Sequence, residues 1–267
     1  MSRVRVVVAG CTGRMGRALV RLAAEDPDIA LIGAATAPGD PLIGQDAGLV
    51  AHGKPAGVLI TTDAPQEVDA VIEFSTPAGT IAWSSWCSQR RVALVSGTTG
   101  LEAEHHARLR ATAEVAPVLW AANMSVGVNL LIELAAAAAR ALPGWDCEIV
   151  EAHHNRKADA PSGTARTLLE SVCAARGVDA ARTGVHGRTG VVGPRPAGEI
   201  GVHAVRMGGV VGDHDVHFAL PGEVVTLRHH AESRDIFAAG ALRAAKWIAG
   251  RRAGTYRMAD VLAAPPS

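Results

Sequence analysis

Apolar positions along the chain fall into two regimes. Up to about residue 124, short β-branched runs alternate with stretches of helical spacing. Arg3–Ala9 (RVRVVVA) runs into Gly10 as a parallel strand buried on both faces would. Gly16–Glu25 follows as a helix, with Leu19, Val20, Leu22 and Ala23 on its apolar face. Leu31–Thr36, Val68–Phe74, Val92–Ser96 and Val118–Ala121 read as further strands. Ser75-Thr76-Pro77 opens a helix with a hydroxyl cap and a proline near the first position, and Glu102–Glu114 forms another. Strands and helices alternating at this spacing predict a parallel, doubly wound sheet.

After Asn123 the pattern changes. Val126–Leu142 is one Ala-rich helix stopped by Pro143-Gly144, Asp146–Ala152 is a strand, and Ser162–Arg176 is a helix with Ser162 as its cap. Gly201–Arg206, His214–Ala219 and Val224–Arg228 alternate with period two and have no helices between them, which predicts an open mixed or antiparallel sheet. Arg234–Gly250 is helical again, with Phe237, Ala241, Ala244, Ala245 and Ile248 on one face. The fold expected is α/β: a doubly wound parallel sheet from residues 1–124 and 234–267, and a second α+β domain with an open mixed sheet from 125–233. The tail Leu262–Ser267, ending in Pro-Pro, reads as loose.

Composition narrows the function. The 267 residues carry 26 basic and 26 acidic side chains, so there is no basic field of the kind nucleic acid or an anionic membrane requires. An anionic ligand must be held by local donors. The longest apolar run, Leu130–Ala139, is broken by Glu133, so no span of a bilayer is expected. The start, Met1-Ser2-Arg3-Val4-Arg5, has no apolar leader, and Cys11, Cys87, Cys147 and Cys173 form no CxxC pair. Buried thiols in a reducing, cytoplasmic compartment are the expectation. Lysines occur only at Lys54, Lys157 and Lys246.

Two segments carry chemistry. Gly10-Cys11-Thr12-Gly13-Arg14-Met15-Gly16 is a GxxGxxG between a strand and a helix. Glycine lets backbone approach a pyrophosphate closely, and the helix start offers free N–H groups, which makes the sheet Rossmann-like and dinucleotide-binding. The region where a ribose-binding carboxylate usually stands reads Thr36-Ala37-Pro38-Gly39-Asp40; Asp40 lies too far along to assign, and Lys54 reaches the ribose only if its loop folds back. With neither repulsion nor a clamp at Ala37-Pro38, NADH and NADPH are expected to work within about tenfold of each other. The second segment, Glu151–Thr164 (EAHHNRKADAPSGT), gathers two imidazoles, a guanidinium and an ammonium ahead of the Ser162 cap. Cations beside a helix N-terminus make a carboxylate or phosphate trap, and His and Lys there move protons. The adjacent histidine pairs project apart and there is no HExxH, so no metal is expected. No G-x-S-x-G is present.

On these residues the chain resembles the dihydrodipicolinate reductase family. The likeness runs nearly end to end, through GCTGRMG at 10–16, FSTPAGT at 74–80, GTTG at 97–100, ANMSVGVN at 122–129, EAHHNRKADAPSGTA at 151–165, RMGGVVGDH at 206–214, and Ser233-Arg234. It implies nicotinamide-dependent reduction of 4-hydroxy-tetrahydrodipicolinate, a cyclic dicarboxylate of diaminopimelate and lysine biosynthesis, followed by protonation of the ring. By resemblance, Gly10, Cys11, Thr12, Gly13, Arg14 and Met15 cradle the pyrophosphate. Gly97, Thr98 and Thr99, with Ala121, Ala122, Asn123 and Met124, line the nicotinamide side. His153 is then the acid/base residue, Lys157 the proton donor, and His154, Gly163 and Thr164 the holders of substrate carboxylates. The resemblance also implies a homotetramer. The family often has an acidic residue near Ala37 with Arg beside it, and usually Pro and Phe where Ala122 and Met124 stand. Two rival readings are another amino-acid-pathway reductase such as a homoserine dehydrogenase-like enzyme, which gives no reason for the His-His-x-x-Lys loop, and a non-catalytic dinucleotide sensor, which has no need of Lys157.

Overall fold

The structure, a computed structural model, describes residues 3–263; residues 1–2, and the part of the Pro-Pro tail at 264–267, lie outside the described residues. In chain order, β1 (Val4–Ala9), α1 (Arg14–Glu25), β2 (Ile29–Ala35), α2 (Ala47–His52), β3 (Ile60–Thr61), β4 (Ala70–Glu73), α3 (Pro77–Arg90), β5 (Ala93–Ser96), α4 (Ala103–Ala113) and β6 (Pro117–Trp120) come first. They are followed by α5 (Val126–Ala141), β7 (Asp146–His153), α6 (Gly163–Arg176), α7 (Ala180–Thr183), β8 (Gly184–Val185), β9 (Ile200–Arg206), β10 (Gly212–Leu220) and β11 (Glu223–Ala231). The chain closes with α8 (Asp235–Ile248), β12 (Gly254–Tyr256) and α9 (Met258–Ala263). One compact unit runs up to Val126 and resumes at Asp235; the other is Gly127–Arg234.

The first unit is a parallel sheet in the order β12-β6-β5-β4-β1-β2-β3. The unbroken apolar run of β1 has a simple cause. Val6 and Val8 face a core with Leu19 and Val20 of α1 and Ala241 and Ile248 of α8, while Val7 and Ala9 face another with Val71, Leu94 and Leu109. Both faces are covered from Val6 to Ala9, so no position there is polar; Arg5, at the less buried start of the strand, pairs with Asp69 at 2.9 Å. α3 starts as its sequence predicts, with Thr76 Oγ1 accepting from the Gly79 amide and Pro77 at the first position. Lys246 of α8 pairs with Asp26 at 2.8 Å, and Arg21 of α1 with Asp235 at 2.7 Å. The short elements α2, β3, β12 and α9 have no counterpart in the periodic reading; α2 depends on Asp46, whose carboxylate accepts the amides of Gly48, Leu49, Ala56 and Gly57.

The second unit is a mixed sheet ordered β11-β10-β7-β9-β8. β10 is antiparallel to both β7 and β11, whereas β9 runs parallel to β7. Its core joins Leu131, Ala135 and Ala139 of α5 and Leu168 and Val172 of α6 to Ile149, Val216 and Phe218 of the sheet. All four cysteines are free and buried. Among the described residues, no helix is long and apolar enough to cross a membrane.

Candidate active site

The parallel sheet places its functional segments by topology. The glycine turn follows β1, Ser75 follows β4, Gly97–Thr99 follows β5 and Ala121–Met124 follows β6, all at the carboxyl ends of the strands. The sheet order reverses between β1 and β4, which is where ligands bind in such sheets. α1 starts at Arg14, inside the motif and two positions earlier than the apolar spacing suggests, with Gly13 as its cap. Gly10 is left-handed (φ 79°), and a Cβ there would stand 2.2 Å from Phe74 O; one at Gly16 would stand 2.1 Å from Gly10 O. These glycines close the turn onto its neighbours.

The turn corrects part of the expectation. The N–H groups of Gly10 and Cys11 both donate to Ala35 O, at 2.9 and 3.1 Å, and that of Gly13 to Gly10 O. Those amides are spent inside the fold. Helix geometry instead leaves the Arg14 and Met15 amides at the start of α1 without partners in their own helix. Cys11 is core, not cradle: its side chain is 2 % exposed and burial pushes its thiol up to about 11.

Two cavities flank the turn and share Gly13, Phe74 and Ser75 in their walls. One, of about 490 Å³, adds Arg14, Met15, Thr98, Thr99, Ala122 and Asn123, with Gly97 and Met124 at its base. Gly97 has no room for a side chain, because the Phe74 ring would meet its Cβ at 2.2 Å. Met124 is itself 1 % exposed, and Ala121 packs on the same core, its N–H donating to Ser96 O. The other cavity, of about 680 Å³, adds Gly10, Thr12, Thr36, Ala37, Pro38 and Asp40, and is floored by Trp83 and Trp86. Asp40 therefore does face this cavity. Its carboxylate accepts from the Leu42 amide at 2.9 Å and from Thr36 Oγ1 at 2.7 Å, and these bonds, the backbone one foremost, hold its carboxyl below the usual range. Exposed Lys54 is absent from the walls. Two pockets on either side of free helix amides, each large enough for half a dinucleotide, fit a nicotinamide dinucleotide.

A buried carboxylate orders the first cavity. Glu73, at the end of β4, accepts from the amide and hydroxyl of Ser75 and from the hydroxyls of Thr80, Ser96 and Thr98. This fixes Thr98, whose carbonyl accepts from Trp120 Nε1 at 3.0 Å.

In the second unit the loop after β7 brings the predicted residues together. His153 ends β7, and its Nδ1 lies 2.6 Å from Glu151 Oε2. Lys157 Nζ pairs with Asp159 at 2.7 Å. Ser162 caps α6 as expected, its Oγ accepting from the Ala165 amide at 3.1 Å, so the amides of Gly163 and Thr164 form the first turn. His154 Nε2 accepts from Arg234 at 3.2 Å and its Nδ1 is enclosed without a partner. Desolvation, then repulsion from Arg234 and Arg156, holds that imidazole below the ordinary histidine value, and hence neutral.

Four residues that lie in the sequence motifs but take no role from them complete this cluster: Glu151, Arg206, His214 and Arg234. Arg206 grips Glu151 with both terminal nitrogens at 2.8 Å and also donates to Asp159 O. Burial raises the Glu151 carboxyl, but the bonds from His153, Arg206 and the Ser162 amide outweigh it and bring it down to about 2. His214, 3 % exposed, stands edge-on to His153 with ring centres 5.2 Å apart, and burial lowers it to about 4. It is neutral near pH 7.

A glycine turn between two half-dinucleotide cavities, joined in one chain to a cationic loop at a capped helix, defines a nicotinamide-dinucleotide-dependent oxidoreductase. The comparisons with known proteins narrow the class: the pattern described as dihydrodipicolinate reductase, N-terminus, matches residues 4–124 and that of its C-terminus residues 127–262. The chain belongs to the dihydrodipicolinate reductase family. It is 48% identical over 266 residues, 98% of each chain, to the 4-hydroxy-tetrahydrodipicolinate reductase of Methylocella silvestris. To that of Thiobacillus denitrificans it is 49% identical over 263 residues, 97% of this chain and 98% of the relative. A dipicolinate-bound dihydrodipicolinate reductase from Paenisporosarcina sp. TG-14 shares the fold, with a TM-score of 0.75 at 24% identity over 96% of this chain and 97% of that one.

Proposed function

We propose that this chain catalyses the NAD(P)H-dependent reduction of 4-hydroxy-tetrahydrodipicolinate, by way of dihydrodipicolinate, to tetrahydrodipicolinate in diaminopimelate and lysine biosynthesis. The observation that carries this reading is the cluster of His153, Lys157 and the α6 N-terminus, in a chain whose other unit is built for a dinucleotide. When bound, the reduced nicotinamide supplies a hydride. The protein's own residues do the rest. The amides of Gly163 and Thr164 and the hydroxyl of Thr164 hold carboxylate oxygens of the ring, with help from Arg234, which His154 Nε2 holds in place. Lys157 Nζ, kept in place by Asp159, delivers the proton the reduced ring needs, and His153 Nε2 acts as the acid/base partner. In the first unit, the Arg14 and Met15 amides take the pyrophosphate, and the Glu73-held Thr98 orders the nicotinamide pocket.

Loss of reduced-nicotinamide absorbance on adding 4-hydroxy-tetrahydrodipicolinate tests the proposal. Steady turnover is the expected result; binding without turnover of either nicotinamide favours the sensor reading and overturns this one. The family resemblance further supports a homotetramer, with the exposed alternating residues of β11, such as Val224, available for assembly; light scattering on the purified protein checks it. Four buried thiols suit a cytoplasmic enzyme.

A further inference from the structure

We propose that Glu151 is the positioning residue of the second unit's site. One of its oxygens holds the Nδ1 proton of His153, so that Nε2 faces outward beside Gly212, and the other holds the amide that starts α6, while Arg206 balances its charge. The inference rests on the functional reading above for the role of His153, but the geometry is independent of it. Glu151 has no solvent exposure and four donors converge on its two oxygens: His153 Nδ1 at 2.6 Å, Arg206 Nη1 and Nη2 at 2.8 Å each, and the Ser162 N–H at 2.9 Å. A carboxylate so placed only accepts, which makes the His153 nitrogen beside it a donor and dictates the tautomer.

The surroundings point the same way. A Cβ on Gly212 of β10 would stand 3.1 Å from His153 Nε2, so the missing side chain leaves room beside that nitrogen. A carboxylate alone would hold the imidazole in its cationic form. Here the bidentate Arg206 shares that carboxylate and offsets its pull. The other groups facing His153 are accounted for. His214 on β10, with His229 of β11 behind it at a ring separation of 6.4 Å, is neutral. His154 of the following loop is neutral, and Lys157 is paired with Asp159. The same carboxylate also anchors Ser162, whose hydroxyl lies 3.3 Å from His214 Nε2, so ring orientation and the start of the anion-binding helix are set together.

Nitrogen NMR of 15N-histidine-labelled protein, without substrate or turnover, reads the tautomer directly. His153 is expected as Nδ1–H in the wild type; an Nε2–H tautomer overturns the proposal even if the enzyme is fully active. The pH profile of kcat/KM then separates positioning from mere scaffolding. Arg206→Met, leaving Glu151 unbalanced, moves the limb due to His153 to higher pH by about one unit, and Glu151→Gln moves it to lower pH by a similar amount. Shifts in the same direction, or none, overturn the proposal. Should Glu151→Gln not fold, the wild-type tautomer and the Arg206→Met profile decide the matter; should the chain lack turnover, the tautomer alone does.

Discussion

Glu73 near the end of β4 in the first unit and Glu151 near the end of β7 in the second are both fully buried, yet their partners differ in kind. Around Glu73 stand four hydroxyls and one amide, all neutral. Around Glu151 stand a guanidinium and an amide, both fixed donors, and an imidazole whose tautomer the carboxylate selects. Hydroxyls rotate and both donate and accept; guanidinium and amide N–H groups only donate. The first arrangement holds a pocket in shape for a cofactor gripped largely by backbone. The second holds charge in register for proton movement.

If proton chemistry belongs to the second unit, its loss should leave the cofactor side intact. Lys157→Met is expected to lower kcat by about 10²–10⁴, the usual worth of a general acid. Nicotinamide affinity, read by fluorescence titration, should stay within about twofold, because Lys157 belongs to the unit without the glycine turn. Near-normal kcat, or a defect confined to cofactor binding, would remove Lys157 from its assigned role.

The two carboxylates should also respond differently to the same substitution. Glu151→Gln replaces an acceptor by an NH₂ group facing Arg206 or the Ser162 amide and strands a cation, a cost of about 3 kcal/mol. Glu73→Gln meets hydroxyls that turn to accept from the new NH₂, so about 1 kcal/mol is expected. Chemical denaturation of the two variants checks the difference. Equal losses would mean that the character of the partners does not matter, and the contrast drawn between the units would fall.

The same contrast explains what the sequence revealed. The glycine turn, the Thr76-Pro77 start and the Ser162 cap are local signals, each settled within a few residues, although the helix at the glycine turn starts two positions before the periodicity predicts. Arg206 and Glu151 are 55 residues apart, and His214 and Ser162 are 52 apart, so nothing local joins them. Alternation with period two identified β9, β10 and β11 but carries no information on direction, and only the register shows β9 parallel to β7. Elements as short as β3 and β8 exist through their neighbours. The misjudged amides of Gly10 and Cys11 have a tertiary cause too: β2 delivers Ala35 O to both.

Asp40 sharpens the picture of the first unit, where it lines the second cavity along with Asp63, while Arg14 lines the first. Asp40 is held ionised by Leu42 and Thr36 on the wall that also contains Ala37 and Pro38. A carboxylate there welcomes ribose hydroxyls and repels a 2′-phosphate. The near-parity expected from Ala37-Pro38 alone is therefore replaced by a preference for NADH of about tenfold in kcat/KM, equivalent to about 1.4 kcal/mol. Asp40→Asn retains an oxygen for the Leu42 amide and removes the charge, and should bring the two cofactors to within about threefold. An unchanged ratio would show that another residue reads the ribose.

The last contrast lies at the start of α6, where backbone and side chain are separable. Pyridine-2,6-dicarboxylate, planar with both carboxylates in place, should compete with substrate for the Gly163 and Thr164 amides. Thr164→Val keeps the amide and the β-branched shape and loses only the hydroxyl. A hydrogen bond to a carboxylate is worth about 1.5 kcal/mol at the low end of its range, so Ki should rise about tenfold. Ser162→Ala is the control that reaches the amides themselves: it removes the cap that accepts from Ala165, at a cost of about 1 kcal/mol of stability, and loosens the turn that carries both donors. Its Ki should rise at least as much as that of Thr164→Val, with a lower denaturation midpoint. Noncompetitive inhibition by the mimic, or a Ki untouched by both substitutions, would place the dicarboxylate away from this helix terminus and leave the second unit's ordered charges without their ligand.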